Sequence, residues 1–162
     1  DVDLGPLINK AGFDKVKRHV EDALERGGEL VAGKMPADLG EGHLFFPPTV
    51  ISGVTRDMCC SREETFGPLA AIRPVANDAE ALRVANALPF GLAAYAFTHS
   101  ASRADRLADE IEAGNVSINT LEASVAEVPF GGVKDSGYGR EGGAEGLAHY
   151  TTIKTVSHRM AI

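Results

Sequence analysis

Cysteine is nearly absent from this chain: Cys59 and Cys60 stand side by side, and there are no others. Adjacent cysteines rarely bridge each other, because disulfide geometry wants the Cα atoms apart and the Cβ vectors facing. A secreted disulfide framework is thereby excluded, and a reducing cytoplasm is the default compartment. Metal-ligand spacing is missing too. The five histidines, His19, His43, His99, His149 and His158, stand apart from one another and from the cysteines, so no zinc pattern arises. No apolar run is long enough to cross a bilayer, and the opening "DVDLGPLINK" has no apolar signal region. Positive charge is in deficit, with 16 Lys and Arg against 23 Asp and Glu, a net charge of −7. The basic residues are scattered and the few aromatics are not interleaved with them. That excludes nucleic acid as a partner and disfavours a basic membrane-surface helix.

What is present is ordinary globular sequence. The 162 residues suffice for one domain with a real core. The chain opens on Asp1 with no initiator methionine, as a piece of a longer polypeptide would; a processed start is the alternative. Phe13, Val16, Val20, Ala23 and Leu24 recur at helical spacing, which predicts a helix over residues 9–26 ended by Gly27 and Gly28. "ELVAG" reads as a short strand. Pro47 and Pro48 hold the next stretch out of a central strand until residues 49–51. From Leu69 the pattern becomes regular. "LAAIRPV" reads as a strand, then a helix over residues 81–88 with Asn77 or Asp78 as cap and Leu82, Ala85 and Leu88 inward. "PFG" closes that helix. "LAAYAFT" is the next strand. A helix capped by Ser100 or Ser102 follows, with Ala104, Leu107, Ala108 and Ile111 inward and Gly114 at its end. "NVSIN" is a third strand. Strand–helix–strand–helix–strand argues for crossovers in a parallel sheet, an α/β fold. Residues 121–146 are loop-rich, and "YTTIKTVSHRM" alternates like a last strand. Ligands of such sheets sit in loops beyond the carboxyl ends of the strands, here near residues 75–77, 98–100 and 119 onward.

Three features invite a chemical reading. "VKDSGYGREGG" places Gly137, Gly139 and Gly142 in the order G-x-G-x-x-G. A dinucleotide turn of that spacing needs a strand before it, a helix opening at it and an acidic residue about 20 positions later. The stretch before Gly137 reads as a turn and the chain has no room for the βαβ unit, so a glycine-rich surface loop is the expectation. Glu63 and Glu64 are neighbouring carboxylates, which can do acid–base work but more often form a solvated face. Phe66, Gly67 and Pro68 follow. They offer an aromatic wall, a close backbone approach and a fixed turn. Cys59 and Cys60 suggest a thiol nucleophile, yet no base or helix N-terminus adjoins them in sequence. A structural thiol is the expectation, with His43 or His99 as bases the fold could supply.

"REETFGPLAAI", followed much later by "PFGGVKDSGYGREGG" and a strand-like tail, resembles the C-terminal part of the aldehyde dehydrogenase superfamily. "GPLINKAGFDKVKRHVEDALERGGELVAG", "LFFPPTVISGV" and "PFGLAAYAFT" match in the same order. The resemblance covers essentially the whole chain, and through "SINT", Ser124 and the glycine-rich stretch it leans to the succinate-semialdehyde dehydrogenase branch. It implies a parallel-sheet catalytic domain of that type over residues 1–149, and an oligomerisation strand over residues 150–162. It also implies an NAD or NADP cofactor, a small aldehyde substrate, and a dimer or tetramer. Glu64 would accept from the hydroxyls of the nicotinamide ribose, which suits a carboxylate, and Phe66 would pack beside the nicotinamide. Phe130 would line the aldehyde tunnel, and Ser124 would help bind a distal carboxylate of the substrate. The glycine-rich stretch would be a turn of the C-terminal region.

The family's nucleophilic cysteine and general-base glutamate precede the "GPLI" segment. The resemblance therefore implies that this chain alone carries no catalytic residue and is inactive. Cys59 and Cys60 do not occupy the nucleophile's motif. The rival from another class is a noncatalytic binding or assembly module that pairs with a partner chain.

Overall fold

The computed structural model describes residues 4–35 and 44–160; His43 lies outside them. The chain divides into two units, Asp1–Val75 and Ala76–Ile162.

The first unit is organised by α1, Lys10–Glu25. Asn9 caps it, its side-chain oxygen accepting from the Gly12 N–H at 2.8 Å. The cap satisfies an N–H that has no partner within the helix. At the other end Gly27 turns the chain away with a φ of +92°, a conformation that favours glycine. The buried face carries Phe13, Val16, His19, Val20 and Ala23. It packs against Phe46, Ile51, Val54 and Met58, with the Phe13 and Phe46 rings edge to face at 5.4 Å. Ile51 and Met58 are wholly buried, worth about 1.5–3 kcal/mol each. Below the helix lies a three-stranded sheet, β1 (Glu29–Ala32), β2 (Thr49–Ser52) and β3 (Leu69–Ala71), in that order. β1 runs antiparallel to β2, with a bulge between Leu30 and Ala32. β3 runs parallel to β2, Thr49 opposite Leu69.

The second unit holds α2 (Asp78–Ala85), β4 (Phe90–Gly91), β5 (Ala93–Ala96), α3 (Ala101–Glu110), β6 (Asn115–Ile118) and β7 (Val133–Lys134). β5 and β6 are parallel and in register from Ala93–Asn115 to Ala96–Ile118, with α3 as their connection. That is the expected crossover. β4 and β7 form a separate antiparallel pair.

Several boundaries differ from the sequence reading. α2 starts three residues earlier than expected, because Asn77 is the cap: its side chain accepts from the Glu80 N–H at 2.9 Å. Within it Leu82 is buried but Ala85 is exposed. "PFG" contributes β4 as well as a stop. Ser100 caps α3, which ends at Glu110, short of Gly114, where the Ile111 backbone turns extended with ψ 122°. No α3 residue is fully buried. Within the first unit β3 pairs in parallel with β2, and within the second β5 pairs in parallel with β6. Residues 151–160 form no ladder with any described residue and are exposed throughout; the strand expected there needs a partner.

Candidate functional site

In the first unit the loop after a short 3-10 turn, Cys59–Ser61, treats its two glutamates differently. Glu63 is bound to α1. Its Oε2 accepts from Arg18 Nη2 at 2.6 Å and lies 3.2 Å from His19 Nε2. The Arg18 guanidinium, helped by His19, holds the Glu63 carboxyl down at about 2. Glu64 is exposed, and among the described residues no hydrogen bond or ion pair engages its carboxylate. Phe66 has a φ of +49°, uncommon for a residue with a side chain, and is 77% exposed. The next residue, Gly67, is pressed onto α1: a Cβ there would collide with the Val16 side chain. The loop thus exposes a carboxylate that is unengaged among the described residues and, two positions on, an aromatic ring.

The cysteines serve the same loop's foundation. The Cys59 N–H donates to Asp22 Oδ2 at 2.7 Å, and Arg26 Nε donates to the other Asp22 oxygen at 2.7 Å. Those two donors, the Cys59 amide foremost, lower the Asp22 carboxyl to about 2. Both cysteines are free and partly buried, and burial pushes the Cys60 thiol up, away from the thiolate a nucleophile needs. His19 was not singled out in the sequence. Its signal was legible nonetheless, since it lies on the α1 face that carries Val16, Val20 and Ala23.

In the second unit the chain leaves β6 at Asn119, whose φ is +57°. Its side chain clasps Thr98, Oδ1 accepting from the Thr98 N–H at 2.8 Å and Nδ2 donating to the Thr98 carbonyl at 2.9 Å. The loop beyond is shaped by Ser117, whose Oγ donates to the Glu122 carbonyl at 2.9 Å. Ser124 sits on that loop, exposed and with no hydrogen bond among the described residues. Phe130 is held more firmly. It exchanges two backbone hydrogen bonds with Glu141, at 2.7 and 2.8 Å, and lines an open cleft of about 350 Å³ with Leu92, Tyr138, Arg140 and His149. Ser124 does not line that cleft. Glu64 and Phe66 belong to one unit, Ser124 and Phe130 to the other.

The glycine-rich stretch opens no α-helix. β7 before it is two residues long, and a 3-10 turn, Glu145–Tyr150, follows. Gly139 has a φ of +85°, and a Cβ on it would strike the His149 ring; His149 Nε2 accepts from the Arg140 N–H at 3.0 Å. The glycines here close a turn onto its own chain. Among the described residues no cluster of His, Cys, Asp and Glu could hold a metal ion. No helix is long and apolar enough to cross a membrane.

The model of a family described as the aldehyde dehydrogenase family matches residues 1–156. A succinate-semialdehyde dehydrogenase (NADP+) of Mycobacterium avium (strain 104) is 44% identical over 154 residues, covering 95% of this chain and 32% of the relative. A non-phosphorylating aspartate-semialdehyde dehydrogenase of Halomonas elongata is 45% identical over the same share of this chain and 31% of its own. The crystal structure of an oxidoreductase from Marinobacter aquaeolei superposes with a TM-score of 0.87 at 56% identity, over 90% of this chain and 30% of that one. The chain spans about a third of the length of the curated relatives it matches.

Proposed function

The chain belongs to the aldehyde dehydrogenase family, and from that premise we propose that it is part of an NAD(P)-dependent enzyme that oxidises a small semialdehyde, foremost succinate semialdehyde, to the acid. One observation carries the reading. Of two adjacent glutamates, Glu63 is spent on Arg18 and His19 while Glu64, two residues before the exposed Phe66, has no hydrogen bond or ion pair on its carboxylate among the described residues. An unengaged carboxylate with an aromatic ring two positions on fits a nicotinamide riboside, whose ribose offers two hydroxyl donors and whose base offers a planar ring. Glu64 would accept from those hydroxyls, and Phe66 would wall the base. The dinucleotide, when bound, supplies the hydride acceptor. Phe130, fixed by Glu141, would line the path of the aldehyde. Ser124, whose hydroxyl has no hydrogen bond among the described residues, would donate to the distal carboxylate of a semialdehyde.

Nothing in this chain is assigned the nucleophile's role. The thiol of Cys60 is disfavoured as thiolate by burial, and the Cys59 amide anchors Asp22. The chain alone is therefore inactive in this reading, and catalysis needs further sequence. The exposed segment 151–160, rich in β-branched residues, would pair with a second copy. The two free thiols suit a reducing, cytoplasmic setting. The experiment compares kcat/KM of the intact enzyme for succinate semialdehyde, aspartate semialdehyde and unsubstituted aldehydes of the same length. Preference for the dicarboxylic product series, lost on Ser124→Ala, is expected. Equal rates with uncharged aldehydes would overturn the substrate assignment.

A further inference from the structure

We propose that His19 is a positioning residue: one buried imidazole clamps the chain on both sides of Glu64 and so aims Glu64 and Phe66 outward. This rests on the reading of Glu64 as the ribose acceptor. His19 has 0% exposure, rare for histidine unless both ring nitrogens are served. Both are served here by one loop. Nε2 lies 3.2 Å from Glu63 Oε2, and Nδ1 lies 3.0 Å from Thr65 Oγ1. Arg18 Nη2 is also 3.4 Å from Nε2; with the proton on Nε2 the ring donates to the Glu63 carboxylate that Arg18 shares and accepts from the Thr65 hydroxyl. Gly67 adds a third anchor, in contact with Val16 one turn earlier on the same helix. The anchors fall on residues 63, 65 and 67. Glu64 and Phe66 lie between those anchors, so each is flanked on both sides by a residue held against α1, and the chain turns at Phe66, whose φ is +49°. Thr65 and Gly67 are partly buried, while Glu63, Glu64 and Phe66 are exposed. The helix that carries His19 is itself fixed by the core of the first unit, so the loop inherits the rigidity of that core. No salt bridge of Glu64 itself could do this without consuming the carboxylate.

The test uses the intact enzyme. Because His19→Ala empties a buried site and could prevent folding, Thr65→Val carries the experiment: it removes one clamp contact at nearly constant volume. The expected result is faster amide hydrogen exchange over residues 64–67 with α1 unchanged, and a KM for the dinucleotide raised about fivefold with the aldehyde KM unmoved. Thr65→Ser restores both. Unchanged exchange in Thr65→Val overturns the clamp. Faster exchange with an unmoved dinucleotide KM overturns the positioning role. Glu64→Gln, run alongside, separates the two ideas: if it too leaves dinucleotide kinetics at wild-type values, the ribose reading itself has failed, and the positioning role with it.

Discussion

The Asp22 carboxylate, on α1, accepts the backbone N–H of Cys59 at 2.7 Å, across 37 residues of sequence. This bond ties the 3-10 turn at Cys59–Ser61 to the helix and sets where the Glu63–Gly67 loop begins. Arg26 braces the same carboxylate and also donates to Asp57 Oδ2 at 2.9 Å. The foundation of the candidate cofactor loop is therefore polar, while its flank is apolar.

A pH dependence follows. Asp22 falls from an ordinary 3.8 to about 2 in the folded chain. A depressed carboxyl contributes stability that is present above its unfolded value and is lost as pH falls through its folded value. Stability should therefore decline between about pH 4 and pH 2. Asp22→Asn should cost about 1 kcal/mol at pH 7 and flatten that decline. Urea melts at pH 7, 4 and 3 check this. A variant with the wild-type profile would show that Asp22 is not a determinant.

Gly67 is required for its size. A methyl group there overlaps Val16, and overpacking of this kind costs about 1–3 kcal/mol. Gly67→Ala should lower the melting temperature, and Val16→Ala in the same chain should recover part of the loss. Additive destabilisation in the double variant would mean that the two residues do not share one space.

The tail carries the assembly prediction. Ile153, Val156 and Met160 are all exposed in the single chain, an apolar edge with nothing described to cover it. Chains ending at His149 should be less associated than the full chain by light scattering after size exclusion. A full chain that is monomeric, with its tail amides protected from exchange, would remove the case for pairing.

Much of this was legible in the sequence because it is local. α1 announced itself through the spacing of Phe13, Val16, Val20 and Ala23 and through Gly27. The crossover from β5 through α3 to β6 was readable from alternation and Ser100. What was not readable depends on contacts far apart in sequence. Glu63 and Glu64 are chemically identical neighbours, and only Arg18 and His19, more than 40 residues earlier, separate the anchored one from the unengaged one. The parallel pairing of β3 with β2 is likewise a nonlocal choice, made between strands of three and four residues that have little pattern of their own. The segment 150–160 alternates like a strand, yet alternation cannot supply the neighbour that a strand requires.

The central claim is that Glu64, and not Glu63, receives the nicotinamide ribose. Single-turnover hydride transfer in the intact enzyme tests it directly, with Glu64→Gln measured beside Glu63→Gln. Loss of one charge-assisted hydrogen bond is worth about 1.5–3 kcal/mol, roughly one to two decades in rate. The account predicts that slowing for Glu64→Gln with an unchanged melting temperature, and a lowered melting temperature for Glu63→Gln. Wild-type hydride transfer and wild-type dinucleotide affinity in Glu64→Gln would contradict it.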